Sequence, residues 1–197
     1  MGGSGLASWT LRQRPLGSTS WVTVDTGTAE GAQTATLTGI DGASSHVCVQ
    51  AIDRAGNVRN GELHVVTFPF DDAGGGFSYA GTWTTTGLAG AYQGTVHTSS
   101  EPGATAAFTL AAFGYPWLVM PPGYDGRARI SLNGVEQGWI DASTITTVRQ
   151  RVPINIQTVD AGDTFTFTVE SGTFPIDGLM VEPSLPPPPI GGAPTCG

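Results

Sequence analysis

Residues 126–141 read GRARISLNGVEQGWID, two alternating runs on either side of Asn133-Gly134. Asn-Gly tolerates positive φ at both positions, so it favours a two-residue type I′ hairpin turn. Such a turn pairs Leu132 with Val135, Ile130 with Gln137 and Ala128 with Trp139. Leu132, Val135, Ile130 and Trp139 then make one face apolar. Arg127, Arg129, Ser131 and Glu136 occupy the other, toward water or a neighbouring strand. Strands running from about residue 70 to 183 are expected to pack around this hairpin.

The whole chain has 197 residues, room for one large β domain or two small ones. Charged residues make up 12%, against roughly 25% in average proteins. Glycine is abundant, threonine recurs in alternating runs, and no window carries a helical period. The fold class expected is therefore all-β. The net charge is −8, and every basic side chain is Arg. With no basic stripe to displace counterions, the composition argues against nucleic acid as a partner, and against anionic lipid with it. No run of 18 apolar residues exists, so no helical membrane insertion is expected. The first residues, MGGSGLAS, carry no signal-peptide pattern. Cys48 and Cys196 are the two cysteines, and they can pair only if the C-terminal tail folds back over the first part of the chain.

From the N-terminus the expected strands are Trp9 to Arg14, Trp21 to Val24, Thr34 to Thr38, His46 to Ile52 and Glu62 to Phe68. The clusters PLGSTS, IDGASS and DRAGNVRNG supply turns between them. The phrases SGLASWTLRQR, SWVTV, TATLTGI and above all VCVQAIDRAGNV resemble a bacterial fibronectin type III or related immunoglobulin-like domain. The likeness spans residues 4 to about 68 and implies a β-sandwich. Two departures stand out. The first two strands of the family precede the position of Ser4, and Ser45 occupies the place of the tyrosine that makes the usual corner hydrogen bond. A partial sandwich over residues 1–69 with open sheet edges is the expectation, and such edges invite self-association by strand addition.

A boundary is expected at FPFDDAGGG, where Pro69 cannot donate to a ladder and the glycine run loosens the chain. Beyond it, strands are expected at Phe77 to Thr85, Tyr92 to Thr98, Ala104 to Leu110, FGYPWLVM, the hairpin, Val152 to Ile156, Phe165 to Val169 and Ile176 to Glu182. Asp160-Ala-Gly-Asp reads as a turn. The order of GTW, AYQGTVHTS, GATAAFTL, FGYPWLV, YDGRARISLNGVEQGWID, TTVRQRVPI, AGDTFTFTVESGT and IDGLMVEP resembles the small jelly-roll modules appended to secreted hydrolases and wall proteins of actinobacteria, which look like carbohydrate-binding modules. That likeness covers residues 70–183. Residues 184–197 follow as a linker or stiff tail, since four consecutive prolines favour polyproline II.

No nucleophile with a partnering base can be picked out of the sequence, and no known catalytic elbow, zinc-peptidase or P-loop motif is present. His46, His64 and His97 each sit alone in a strand and read as filler or solvent-facing side chains. The aromatic residues are more informative, because sugar rings stack on exposed aromatic faces while amides and carboxylates bond their hydroxyls. Tyr115, Tyr124, Trp139 and Arg127 are the candidate glycan contacts. Tyr115 and Tyr124 flank a turn segment and are expected to be accessible, whereas the register above places Trp139 on the core face. Trp117 also reads as core. Arg127 with Arg129, and Arg149 with Arg151, form two same-face pairs, paired by default with Glu136 or Asp141. Asp71 and Asp72 would meet Asp177 if the first and last strands of the module pair. They read either as turn and boundary residues or as ligands of a structural calcium, which the jelly-roll resemblance implies. No other cofactor is expected.

The expected function is non-catalytic: an extracellular or cell-surface spacer and binding protein whose partner is a polysaccharide or cell-wall glycan. The alternative is a structural or assembly protein, a fibre, stalk or virion surface component joined through open β-edges. A hydrolase fragment comes third.

Overall fold

The computed structural model of the chain describes residues 5–28, 34–111, 113–147, 150–154, 159–183 and 196. Among them every regular element except two short 3-10 turns is a β-strand, and every ladder is antiparallel. The chain divides into two compact units. One holds the residues up to Phe68 together with Cys196, and the other begins at Pro69. Arg149, Ile156 and the proline-rich segment 184–195 lie outside the described residues.

The first unit is one five-stranded sheet among the described residues. Its strands are β1 (Leu6–Pro15), β2 (Val22–Gly27), β3 (Ser44–Asp53), β4 (Val58–Asn60) and β5 (His64–Thr67). They lie in the order β2-β1-β3-β4, with β5 also on β3. The AIDRAGN phrase earns its turn locally. Asp53 accepts the backbone N–H of Ala55 (2.9 Å) and of Asn57 (2.8 Å), and Gly56 takes a φ of 84°. The strand expected at Thr34 to Thr38 does not form. Alternating side chains make a strand only where a neighbour offers a ladder, and Thr38 is tied instead by its carbonyl to the Gln13 amide at 3.2 Å. The short β4 was not anticipated; its polar sequence VRN pairs with Gln50 to Ile52. Cys48 and Cys196 are bonded, with an S–S distance of 2.02 Å, and Arg12 donates to the Cys196 carbonyl at 2.7 Å.

The second unit carries β6 (Phe70–Asp71), β7 (Phe77–Ala80), β8 (Thr84–Gly87), β9 (Thr95–Ser99), β10 (Thr105–Thr109), β11 (Tyr115–Met120), β12 (Arg127–Leu132), β13 (Val135–Asp141), β14 (Gln150–Pro153), β15 (Thr164–Ser171), β16 (Phe174–Ile176) and β17 (Gly178–Glu182). Among the described residues three sheets result, in the orders β13-β12-β15-β10-β7, β14-β11-β17-β6 and β16-β9-β8. The strand expected from Phe77 to Thr85 is broken at Gly81, whose φ of 84° turns the chain between β7 and β8. Tyr92 to Gly94 is a 3-10 turn rather than the start of β9.

Alternation builds the sandwich. Phe165, Phe167 and Val169 of β15 point inward and are fully buried, with their threonine neighbours on the outer face. Leu118 and Met120 of β11 and Leu179 of β17 meet them from the second sheet. Phe70 and Phe108 join the two sheets with ring centroids 4.9 Å apart. Burying each such side chain contributes about 1.5–3 kcal/mol.

The hairpin turn forms as expected, with Asn133 at φ 49° and Gly134 at φ 80°. Its tip is fastened to the start of β15. The Asn133 amide donates to Asp163 Oδ1 at 2.7 Å, and Thr164 N–H donates to Asn133 Oδ1 at 2.9 Å. The Asp160 backbone N–H, and then the Asn133 amide, hold the Asp163 carboxyl below its ordinary range. A depressed folded value means that this contribution is complete above the unfolded pKa of about 3.9 and is lost as pH falls through the folded one. The urea midpoint should therefore drop as pH is lowered below about 4, and Asp163→Asn should make that acid limb shallower. An acid limb unchanged in the variant would contradict the assignment.

Candidate functional site

The hairpin departs from its expected register at one point. Leu132 pairs with Val135 and Ser131 with Glu136, but Ile130 pairs with Gly138, Arg129 with Trp139 and Ala128 with Ile140. Gln137 is an extra residue, a β-bulge that moves every later side chain to the other face. Gly138 follows at φ 130°, a conformation that side-chain-bearing residues rarely adopt. Ile140 therefore fills the core, and Trp139 is turned outward with 55% of its surface exposed. The expected burial of Trp139 is thus overturned. An isolated glycine inside an alternating strand was the available signal.

Trp139 stands among charges on the outer face of the five-stranded sheet. The Arg127 guanidinium lies 3.9 Å from the centre of its ring, a cation–π contact worth about 0.5–1 kcal/mol at an exposed site. Arg127 Nε is 3.1 Å from Glu170 Oε2. Arg129 donates to Glu170 Oε1 from Nη2 (2.7 Å) and Nε (3.0 Å), and to Glu136 Oε2 at 3.4 Å. Glu170 was not singled out from the sequence; it enters because β15 pairs with β12. The registers continue one outer row from Trp139 through Arg129, Thr168 and Thr105 to Ala80. Four inter-strand steps make this platform about 19 Å long.

The other aromatic candidates are elsewhere. Tyr115 is exposed, and with Trp117 it belongs to the outer face of the second sheet, since Leu118 and Met120 take the inward positions of β11. Trp117 is half-buried, outside the central core, with the Arg151 guanidinium 5.5 Å from its ring centre. Arg151 in turn donates to Glu182 at 2.6 Å. Tyr124 packs against the core and is only partly accessible, unlike its expected place at a loop tip. Only Arg127 and Trp139, of the four candidate glycan contacts, are brought together.

The first and last strands of the unit do pair, with Phe70 opposite Leu179 and Asp71 opposite Gly178. Asp71, Asp72 and Asp177 are all buried. Asp177 accepts the Tyr92 N–H at 2.7 Å. Asp72 accepts Thr95 Oγ1 at 3.1 Å on one oxygen and meets His97 Nδ1 at 2.7 Å on the other. Among the described residues no three His, Cys, Asp or Glu side chains are grouped to hold a metal ion. His97 is not the isolated histidine its sequence suggests. Its Nε2 lies 2.8 Å from Thr85 Oγ1, and the Tyr79 ring stacks on it at 4.4 Å, 8° from parallel. Burial first, then the charges of Asp72 and Asp71, push the Tyr79 phenol upward; the phenol donates to the Asp72 carbonyl at 2.8 Å.

An open cavity of about 430 Å³ is lined by Thr82, Thr84, Thr98, Ser99, Ser100 and Glu101. It has no aromatic wall and does not include Trp139.

No family model matches the sequence, and no curated protein matches it. Solved structures with a partial likeness exist. The catalytic domain of a GH87 alpha-1,3-glucanase in complex with nigerose is 15% identical, matching 57% of this chain and 28% of its own, at a TM-score of 0.37. An exo-beta-1,3-galactanase from Phanerochaete chrysosporium is 14% identical over 70% of this chain and 40% of its own, at 0.39. An alpha-L-rhamnosidase from Streptomyces avermitilis complexed with L-rhamnose is 11% identical over 91% and 20%, at 0.23. The chain thus spans well under half the length of these proteins, and likeness at this level assigns no activity to it.

Of the five tryptophans, Trp139 is the one with an open ring; Trp9, Trp21, Trp83 and Trp117 are half-buried. Hydroxyl-radical footprinting should oxidise Trp139 first. Slower labelling there than at Trp83 or Trp117 would contradict the bulged register.

Proposed function

We propose that the second unit is a non-catalytic glycan-binding module whose contact surface is the outer face of β13, β12 and β15. The observation that carries this reading is the outward Trp139 ring, backed by Arg127 and bordered by Glu136, Glu170 and Thr168. An exposed indole offers an apolar plane to the C–H face of a sugar, and flanking carboxylates and hydroxyls accept or donate to its hydroxyl groups. A row across five strands suits an extended polysaccharide better than a small molecule. With only a few such contacts the affinity per module is weak, in the millimolar to micromolar range of about −4 to −8 kcal/mol.

An extracellular or cell-surface setting fits this role. The Cys48–Cys196 bond favours an oxidising compartment, and among the described residues no helix is long and apolar enough to cross a membrane. The first unit then serves as a spacer, in keeping with its resemblance to fibronectin type III domains.

The same unit favours a second reading, assembly through its sheet. Val22, Val49 and Val58 of that sheet are exposed, and β2 ends its strand order. An unpaired edge is a template for strand addition. Light scattering separates the two: association is expected under the second reading and a monomer under the first.

For the glycan reading, wall and plant polysaccharides should bind in affinity gel electrophoresis, and Trp139→Ala should weaken binding at least tenfold while lowering the melting temperature by only a few degrees, through loss of the Arg127 contact. Equal retention of Trp139→Ala and the parent chain would refute this surface as the site.

A further inference from the structure

Two paired strands and the turn after β6 bring together a hydroxyl, an imidazole and a carboxylate held in series. With Asp72 as a carboxylate, its Oδ2 only accepts, so His97 Nδ1 is the donor in their 2.7 Å contact. A neutral imidazole with its proton on Nδ1 leaves Nε2 as a bare acceptor. The Thr85 hydroxyl, 2.8 Å away, then donates to it. The ring cannot easily leave this pose, because Tyr79 stacks on its face and Asp72 is completely buried. Thr95 occupies the second oxygen of Asp72 and fixes the carboxylate. Thr85 itself is exposed and lies on β8, the last strand in its sheet order, so its hydroxyl is open to reagents from solution.

We propose that Thr85 is an activated nucleophile and the site of a stoichiometric covalent modification by acyl donors of the activated-ester class. The arrangement follows the general logic of hydroxyl, base and orienting carboxylate. Thr85 Oγ1 attacks the carbonyl carbon of the ester and forms a new C–O bond. Its proton passes to His97 Nε2. The bond to the leaving oxygen breaks, and the leaving group departs with its electron pair and recovers the proton from Nε2. The product is an ester of Thr85, and no oxidant or reductant is involved. Asp72 acts as a positioning residue that sets the tautomer through Nδ1. This inference is independent of the glycan surface, whose ring-stacking residue Trp139 lies on β13.

The test uses the full chain and p-nitrophenyl acetate, with the labelled positions read by peptide mass spectrometry. Thr84 and Thr86 are exposed neighbours on the same strand, opposite Thr98 and Val96 rather than His97, and serve as internal references. Positioned general-base assistance is typically worth about 10²–10⁴-fold. Thr85 should accordingly be acetylated at least about a hundredfold faster than Thr84 or Thr86, and His97→Gln should remove that preference. Thr85→Val, at an exposed position, should fold normally and lose the adduct. Nitrogen NMR of the unmodified chain supplies a readout that needs no variant: the His97 ring should carry its proton on Nδ1. Labelling of Thr85 at the rate of its neighbours, a preference that survives in His97→Gln, or a proton on Nε2 would each overturn the proposal.

Discussion

One extra residue in β13 governs what this molecule can present to a partner. Gln137 has no opposite number on β12. Side chains alternate along a strand with period two, so a single insertion exchanges the inner and outer sets beyond it. Without it, Trp139 would lie against the core and Ile140 would face water. With it, Ile140 joins Ala128 and Val169 inside, and the largest side chain of the hairpin is delivered to the surface. Gly138 makes the distortion tolerable, since its φ of 130° would strain any other residue.

The rest of the outer face follows from strand order. β12 lies between β13 and β15, so Arg127 and Arg129 meet Glu136 and Trp139 on one side and Glu170 on the other. The guanidinium groups are engaged with carboxylates, and the tryptophan rises from a surface whose local charges are largely matched. The inner network is built by the same means. Asp72 follows β6, Tyr79 is in β7, Thr85 in β8 and His97 in β9. Pairing of β8 with β9 sets Thr85 beside His97, and packing of the three sheets adds Tyr79 and Asp72.

The all-β class, the type I′ turn at Asn133-Gly134 and the inward set of β15 were legible because each depends on residues adjacent in sequence. Phe165, Phe167 and Val169 need only alternation and a buried face. The errors arise where neighbours across space decide. Thr34 to Thr38 alternates well yet finds no ladder. Tyr124 stands beside a turn but packs inward against the core. The register beyond Ile130 was misread because a bulge looks like continuous alternation, and only Gly138 hinted at it. His97 looked solitary since Asp72 and Thr85 are 25 and 12 residues away in sequence. Glu170 joined the candidate site for the same reason, at 41 residues from Arg129.

Cross-strand nuclear Overhauser contacts in the β12–β13 hairpin test the bulged register most directly. Backbone proton contacts linking Arg129 with Trp139 and Ala128 with Ile140 are the predicted result. Contacts linking Ala128 with Trp139 and Ile130 with Gln137 would mean an unbroken ladder, a buried indole, and no aromatic platform on this face.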